Sequence, residues 1–310
     1  MTQAIDIENL SHQYGERLAL DGVNLQIKAG EIFGLLGPNG GGKTTLFRIL
    51  STLLTPTRGR VRVLGVDPVD DGASVRSRIG VVFQSPSLDP KLTVLENMRH
   101  HGYLYGLKGA LLQARIEDVL KRVDLFDRRE DRAEVLSGGL QRRVELGKGL
   151  LHRPELLIFD EPSTGLDPAA RRIFWDHLES LRTEDGVTMV LTTHFMEEAD
   201  RCDRIGILDA GKLIAVGTPD ELKRSVGKDV ITLETQNPDG VAKQAQEAFH
   251  VVAQVIDGTV RIECDSGQDL MGQLYARFRD GVTSMTLASP TLEDVFIQRT
   301  GHRFEVAADA

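Results

Sequence analysis

Apolar and polar residues near the start of the chain alternate mainly with the period of β-strands. Residues 4–10 and 25–28 alternate one by one, which is typical of strands with one buried face. Residues 32–36 are apolar throughout, which predicts a strand covered on both faces. A helical pattern follows at residues 43–54 and stops before Pro56. Two later runs also have a strand pattern, at residues 61–64 and 79–83.

In the middle of the chain, at residues 93–151, the pattern becomes helical. One apolar stripe follows the segment 111–126 and consists of Leu112, Ile116, Val119, Leu120 and Val123. Strand-like runs then return, separated by a helical stretch at 171–182, at residues 156–159, 188–192 and 205–208. Strands that alternate with helices predict an α/β core around a mostly parallel sheet. The helical block, at about 88–152, predicts a subdomain inserted into that core.

The last quarter of the chain has its own order of elements. Strand, helix, strand, strand, helix and strand are predicted at 230–234, 241–249, 251–256, 259–264, 268–278 and 283–287. This βαββαβ order is ferredoxin-like. A helix near 222–225 closes the preceding domain and Gly227-Lys228 is a hinge, so we expect domains at 1–226 and 227–310. A final helix begins where Thr291 and Asp294 have capping-box spacing, and residues 307–310 are expected to be a frayed tail.

Composition and charge limit the classes of function. A chain that is 41% hydrophobic and 27% charged is typical of globular proteins. No apolar run approaches the roughly 20 residues that span a bilayer, and the first residues lack a signal-peptide layout, so we expect a cytoplasmic protein. A net charge of −9 without a dense basic run argues against a nucleic-acid partner. Cys202 and Cys264 lack metal-binding spacing and are expected to be buried or free thiols.

The segment GPNGGGKTT, residues 37–45, contains the spacing Gly37-x4-Gly42-Lys43-Thr44, which is that of a phosphate-binding P-loop. Glycines allow backbone N–H groups to point at an anion, the lysine reaches the β- and γ-phosphates of ATP, and the Thr44 hydroxyl binds Mg²⁺. A glycine-rich turn that binds nothing is the alternative, but the strand before it and the helix after it favour phosphate. The predicted nucleotide-binding residues are Gly37, Asn39, Gly40, Gly41, Gly42, Lys43, Thr44 and Thr45.

Two further segments have suitable chemistry, although each alone is also explained by ordinary structure. Asp160 and Glu161 follow the apolar run 156–159, at the strand end where nucleotides bind in such sheets. Asp160 is suited to binding Mg²⁺, and Glu161 to polarising a water as general base. Ser137 precedes a helix with Gly138 and Gly139 at its start, which predicts a second anion site without a lysine.

Together, the P-loop, LSGGL (136–140), LLIFDEP (156–162) and STGLD (163–167) resemble the nucleotide-binding subunit of ABC transporters over about residues 5–223. The resemblance implies a P-loop NTPase (RecA-like) core with an antiparallel β subdomain and an inserted helical subdomain. The small C-terminal α+β, ferredoxin-like domain is then an addition.

The resemblance also implies roles for residues that spacing does not assign. Tyr14 corresponds to an aromatic that stacks on adenine, and Gln84 to a glutamine that contacts Mg²⁺ and senses the membrane subunit. His194 corresponds to a switch histidine at the γ-phosphate, and Asp167 to a dimer-interface aspartate. Two copies are then expected to sandwich two ATP molecules, with Ser137, Gly138 and Gly139 of one copy facing the ATP held by the other.

This sequence departs from the family pattern at two positions. Leu140 replaces a common glutamine, although Gln141 follows it, and Gly41 replaces the usual alanine or serine. The segment SPTLEDVF, residues 289–296, resembles the tail of subunits that serve exporters of drugs, lipids or polysaccharides.

We therefore expect an ATPase that powers a separate multi-span membrane permease from the inner face of the cell membrane, in an exporter. An importer subunit, a soluble ABC-type ATPase and a regulatory ATP-binding module are the alternatives. The single P-loop, the absence of a heptad run and the presence of Glu161 disfavour the last two.

Overall fold

Hydrogen bonds between strands organise the chain into three sheets in the computed structural model, which describes residues 2–304. The strands are β1 Gln3–Tyr14, β2 Arg17–Lys28, β3 Ile32–Leu36, β4 Arg58–Val63, β5 Ile79–Val82, β6 Leu156–Asp160, β7 Thr188–Thr193, β8 Arg204–Asp209, β9 Lys212–Gly217, β10 Asp229–Thr235, β11 Val252–Ile256, β12 Thr259–Cys264 and β13 Val282–Ala288. The helices are α1 Lys43–Leu50, α2 Gly72–Arg78, α3 Val94–Leu104, α4 Gly109–Arg122, α5 Gly138–Leu150, α6 Pro168–Asp185, α7 Met196–Ala199, α8 Pro219–Arg224, α9 Pro238–Phe249, α10 Gly267–Phe278 and α11 Leu292–Thr300.

The central sheet has six strands in the order β5-β6-β7-β3-β8-β9, and its pairs from β5 to β8 are parallel. Its middle strands β3, β6 and β7 are buried along their whole length, as expected for strands covered on both faces. Parallel pairing brings the carboxyl ends of β3, β6 and β7 to one edge. The segments that follow these three strands are therefore neighbours, although they are far apart in sequence.

A second, antiparallel sheet has the order β2-β1-β4. Helix α1 contacts β2 of this sheet and also β6 and β7 of the central sheet. One hydrophobic cluster joins helix α1 to both sheets. It includes Ile5, Ile7, Leu46, Phe47, Ile49, Leu50, Ile158 and Val190. The start of α1 is consequently held between two sheets, which fixes the loop between β3 and α1.

The helical insertion contains α3, α4 and α5, with short 3-10 turns at Phe126–Arg128 and Ala133–Val135. Helix α5 contacts α3, α4 and α6 as well as β5, so it connects the insertion with the core. The predicted apolar stripe of α4 is buried. The predicted α/β core with its antiparallel subdomain and inserted helical subdomain is confirmed.

The last elements form a separate antiparallel sheet in the order β11-β12-β10-β13. With α9 after β10 and α10 after β12, this is the strand order of the predicted ferredoxin-like arrangement. The chain divides into two compact units between Leu213 and Ile214. The sequence analysis places the boundary between independently folding domains at 226/227. A division by contacts does not test independent folding, so that boundary stays a prediction.

Several local expectations are corrected by the structure. Helix α1 ends at Leu50, four residues before the predicted end, because residues 51–54 form turns. The sequence analysis did not predict α2 or β9. Cys202 is buried and Cys264 half-buried, and both are free. Among the described helices, none is long and apolar enough to cross a membrane. The tail at 307–310 lies outside the described residues.

Candidate nucleotide-binding site

The glycine-rich loop joins β3 to α1 in a conformation that its glycines permit. Gly40 and Gly42 have positive φ angles of 81° and 109°, which side chains with a Cβ rarely adopt. A Cβ on Gly37 would lie 2.3 Å from the carbonyl oxygen of Leu208, so no larger residue fits there. The N–H groups of the loop therefore lie at the start of α1, where the helix dipole favours an anion.

Lys43 is 4% exposed and lies under this loop. Its Nζ donates to the carbonyl oxygens of Gly37 at 2.7 Å and Pro38 at 3.1 Å, and it is 3.4 Å from Oε1 of Glu161. Burial lowers the pKa of Lys43, and the charges of Glu161 and Asp160 partly oppose this effect. The lysine is thus a desolvated cation held by acceptors that a phosphate could replace.

Asp160 and Glu161 end β6 and are connected through Thr192 of β7. The Thr192 hydroxyl donates to Oδ1 of Asp160 at 2.7 Å and accepts from the backbone N–H of Glu161 at 2.9 Å. Burial raises the pKa of Asp160; the hydrogen bond from Thr192 opposes this, whereas the neighbouring Glu161 carboxylate adds to it. Thr192 was not among the predicted site residues, and its only signal was its position two residues before His194.

Glu161 and His194 are in direct contact. Nδ1 of His194 is 3.1 Å from Oε2 of Glu161, and the Thr164 hydroxyl is 3.4 Å from the same oxygen. Burial would raise the pKa of Glu161, but the hydrogen bond with His194 and the charge of Lys43 lower it overall. Lys43, Glu161 and His194 therefore form a continuous chain of charged and polar side chains at the edge of the central sheet.

A cavity of about 160 Å³ opens beside the loop. Eight of the site residues predicted from the sequence line this cavity: Tyr14, Asn39, Gly40, Gly42, Lys43, Thr44, Thr45 and Glu161. Tyr14 is 41% exposed at the cavity wall, with its ring in T-shaped contact with His12. Arg17 and Ala19 also line the cavity; the sequence analysis missed both, because an isolated arginine or alanine in a strand pattern carries no signal.

A second group of predicted residues lies outside this cavity, around the starts of α5 and α6. Ser137 caps α5 by accepting from the N–H of Leu140 at 3.4 Å, and Asp167 caps α6 by accepting from that of Ala170 at 2.8 Å. A Cβ on Gly139 would lie 2.7 Å from that of Ala170, so the two helix starts are adjacent. Gln84 and Gly138 line a separate cavity of about 120 Å³.

The departure at Leu140 is not compensated by its neighbour. The side chain of Gln141 donates to the carbonyl oxygens of Ala133 at 3.0 Å and Leu136 at 3.2 Å. The Gln141 side chain therefore stabilises the segment before α5 by hydrogen bonds. It does not replace a glutamine side chain at position 140. Gly41, the other departure, lies close to the carbonyl oxygens of Leu208 and Pro38.

The predicted metal ligands fit Mg²⁺ by their chemistry. Thr44 is exposed at the cavity wall, and Asp160 lies next to Lys43 and Glu161; their oxygen atoms are the ligand type that Mg²⁺ prefers. No group of three or more His, Cys, Asp or Glu side chains within residues 2–304 could hold a metal by itself. Mg²⁺ in proteins is commonly bound by one or two carboxylates together with waters and the oxygens of a substrate phosphate.

Comparisons with known proteins agree with this geometry. Residues 20–164 match the ABC transporter family, and residues 217–300 match the C-terminal domain of DrrA1-3-like ATP-binding proteins. The daunorubicin resistance ATP-binding protein DrrA3 of Streptomyces coeruleorubidus is 39% identical over 305 residues, or 96% of each chain. The Nod factor export ATP-binding protein I of Paraburkholderia xenovorans (strain LB400) is 40% identical over 307 residues, covering 97% of this chain and 98% of the relative.

Solved structures give the same result. CbiO1 of Clostridium perfringens, part of the ABC transporter complex cbiONQ, superposes with a TM-score of 0.68 at 26% identity, covering 81% of this chain and 97% of that one. The dimeric ATP-binding cassette MJ0796, bound to ADP and Pi in a post-hydrolysis state, has a TM-score of 0.63 at 31% identity over 69% of this chain and 98% of that one.

Proposed function

The chain belongs to the ABC transporter family of ATP-binding proteins, and on this premise we propose that it powers export of a drug, lipid or polysaccharide through a separate membrane permease. The cargo class is supported by two relatives, named for daunorubicin resistance and Nod factor export, that match nearly the whole chain. The match to the DrrA1-3-like C-terminal domain supports the same class. The protein then acts at the inner face of the cell membrane, bound to the permease.

The contacts of Glu161 are the observation that carries the catalytic assignment. Its two carboxylate oxygens lie 3.4 Å from Nζ of Lys43 and 3.1 Å from Nδ1 of His194. A carboxylate between a phosphate-binding lysine and a histidine is placed to hold and polarise a water beside the γ-phosphate. Its pKa is lowered, so it is ionised at neutral pH, which is the form that can accept a proton.

Each remaining residue then has one role. Lys43 exchanges the carbonyl oxygens of Gly37 and Pro38 for phosphate oxygens, the loop from Gly37 to Thr45 donates its N–H groups, and Tyr14 stacks on adenine. Thr44 and Asp160 would hold Mg²⁺, and Gln84, which lines a separate cavity in this structure, would join them; the ion would neutralise phosphate charge. His194 contacts the γ-phosphate and orients Glu161. Catalysis is thus mostly positioning and charge neutralisation.

A homodimer explains the second group of residues. Ser137, Gly138 and Gly139 do not line the cavity of their own chain, yet they form a helix start suited to a phosphate. In the proposed dimer they face the γ-phosphate bound to the partner copy, with Asp167 at the interface. The MJ0796 cassette, which is similar in fold, is itself dimeric.

Size-exclusion chromatography with light scattering tests the shared site. Glu161→Gln removes the base but retains the P-loop, so this variant should bind Mg-ATP, hydrolyse it far more slowly than the parent and become dimeric. Adding Ser137→Arg places a bulky cation at the interface, so the double variant should bind ATP and stay monomeric. Ser77→Arg, on the exposed face of α2, is the matched control and should still dimerise.

Dimerisation that survives Ser137→Arg would exclude the shared site. Hydrolysis at the parent rate in Glu161→Gln would exclude Glu161 as the base. The two results are independent, so each part of the proposal can fail alone.

A further inference from the structure

A buried carboxylate lies behind the candidate site and does not reach the nucleotide cavity. Glu198, in the short helix α7, is 2% exposed. One carboxylate oxygen accepts from the Thr193 hydroxyl at 2.6 Å, and the other accepts a short hydrogen bond from the hydroxyl of Ser163. Both donors are about 1% exposed. Burial of a carboxylate is costly unless hydrogen bonds compensate it, so these two hydroxyls are committed to Glu198.

The two donors flank the proposed catalytic pair. Ser163 is two residues after Glu161, and Thr193 directly precedes His194. Glu198 therefore connects the segment after Glu161 with the residue before His194. The side chains of Glu161 and His194 are themselves in contact at 3.1 Å. One buried group thus joins these two segments, which the contact between Glu161 and His194 and the Thr192 hydroxyl also connect.

The backbone at Glu161 needs such support. Its φ is 43°, in the left-handed region that non-glycine residues enter only at a cost in free energy. Its N–H is held by the Thr192 hydroxyl, and the chain two residues later is held by Glu198 through Ser163. Restraints on both sides fix the direction in which the Glu161 carboxylate points.

One cation lies near this carboxylate without hydrogen bonding to it. Arg171 has its Nε 3.9 Å from Oε1 of Glu198, close enough for a charge interaction but beyond hydrogen-bond distance. Its guanidinium lies over the ring of Phe195 at 4.2 Å, and its Nε is buried without a hydrogen-bond partner in the part of the chain described. Glu198 is held chiefly by the two hydroxyls, so its restraint on Ser163 and Thr193 is specific.

We propose that Glu198 is a positioning residue for ATP hydrolysis that orients Glu161, through Ser163 on one side and through Thr193 and the contact of His194 with Glu161 on the other. This inference rests on the proposed roles of Glu161 and His194. It adds a residue that touches neither nucleotide nor metal and acts only through Ser163 and Thr193.

Steady-state kinetics provide the first test. Glu198→Ala should lower kcat by about tenfold or more, because small misplacements of a catalytic group cost up to about a hundredfold. KM for ATP should change by less than about threefold, since the P-loop is untouched. Ser163→Ala and Thr193→Val each remove one connection and should give intermediate losses. Glu198→Gln keeps the size and one acceptor oxygen and should restore part of the rate.

A double-mutant cycle separates positioning from a structural role. Single-turnover hydrolysis is measured for Glu198→Ala in the parent and in the Glu161→Gln background. If Glu198 acts through Glu161, its substitution should cost less than about twofold once the base is absent. A merely structural role would lower the rate by the same factor in both backgrounds.

Glu31 provides a matched control. It is also a buried glutamate, 8% exposed, and it accepts from the N–H of Lys28 and pairs with Arg204. It precedes β3, at the opposite end of that strand from the P-loop. Glu31→Ala should lower the midpoint of urea unfolding and leave kcat unchanged.

The outcomes distinguish this inference from the proposed function. Parent-like turnover in Glu161→Gln would overturn the assignment of the base, and the inference with it. Inactive Glu161→Gln with parent-like kcat in Glu198→Ala, Ser163→Ala and Thr193→Val would overturn the inference alone. Equal losses in both backgrounds would also overturn it.

Discussion

Lys43 shows how one buried side chain can serve function more than folding. Its partners are two loop carbonyl oxygens and Glu161, and none of them belongs to the hydrophobic core. We predict that Lys43→Ala lowers kcat by at least about a hundredfold, the usual cost of removing a group that stabilises transition-state charge. The midpoint of urea unfolding should change little. ATPase assays and circular dichroism measure the two effects, with the exposed Lys91→Ala as control.

Parent-like turnover in Lys43→Ala would contradict the assignment of the P-loop lysine. Loss of both activity and fold would instead mean that Lys43 has a structural role that its contacts do not indicate.

His101 gives the chain a predictable response to acid. Burial, with the nearby Lys148 and His152, lowers its pKa from 6.5 to about 4. The unfolded chain therefore takes up a proton near pH 6.5 that the folded chain resists, so stability falls as pH decreases from 6.5 to about 4. The loss from this residue is about 2 kcal/mol at pH 5. Urea unfolding at pH 7.5 and 5 should show a smaller change in His101→Gln than in the exposed control His100→Gln.

Helix α5 holds the segment after β5 by a row of buried charged residues. Arg142 donates to the carbonyl oxygens of Phe83 at 2.6 Å and Gln84 at 3.0 Å. Glu145 accepts from the N–H and hydroxyl of Ser87, and Lys148 donates to the same hydroxyl at 2.7 Å. Because Ser137 caps this helix, the backbone of Gln84 and the second anion site belong to one connected element.

This arrangement predicts a measurable role for one small side chain. Ser87→Ala removes the hydroxyl that donates to Glu145 and accepts from Lys148, while the backbone contacts of residue 87 and the Glu145–Lys148 ion pair at 3.5 Å remain. Loss of the hydroxyl contacts to two buried charges should destabilise the protein by about 1 kcal/mol. Ser77→Ala, on the exposed face of α2, should cost much less. Urea unfolding of both variants gives the comparison, and equal midpoints would contradict the importance of the Ser87 contacts.

The segment SPTLEDVF has a structural explanation in the second unit. Thr291 and Asp294 form a capping box at the start of α11, and Oδ1 of Asp294 is 3.0 Å from Nη2 of Arg261, which is 6% exposed. Asp294→Ala removes the carboxylate half of the capping box, although the Thr291 hydroxyl still accepts from the N–H of residue 294. Among the described residues it also leaves Arg261 paired with Glu263 alone, at 3.4 Å. We predict a loss of about 3 kcal/mol. Glu293→Ala, at the neighbouring half-buried position, should cost about 0.5 kcal/mol or less, as measured by urea unfolding.

For the whole molecule, the position of the domain boundary determines what a truncation removes. All proposed nucleotide-binding residues lie at or before His194, so a chain that ends at Ser225 should still bind ATP. Helix α8 contacts α11 and would lose this packing, so its Leu222, now 7% exposed, should become accessible. ATP binding by calorimetry and hydrogen exchange across residues 219–224 test both points. Loss of ATP binding would contradict independent folding of the first domain.

The elements of this fold and its phosphate-binding loop can be predicted from the sequence alone, because the patterns that indicate them are local. The P-loop spacing, the buried strand before it and the ferredoxin-like order of the last elements each need only neighbouring residues, since helix and strand periods and backbone conformation depend on short-range sterics. The resemblance added the roles of Tyr14, Gln84, Asp167 and His194. The end of α1, the helix α2 and the strand β9 were missed because weak local preferences there are overridden by packing.

Only the tertiary structure decided which of these residues meet. Glu161 and His194 are 33 residues apart and touch because β6 and β7 are adjacent parallel strands. The same adjacency brings Ser163 and Thr193 onto Glu198, and it places Thr192 between Asp160 and Glu161. Such contacts depend on the order of strands within the sheet. That order follows from burial of the whole core rather than from any local pattern, and so the supporting residues of the site become visible only in the folded chain.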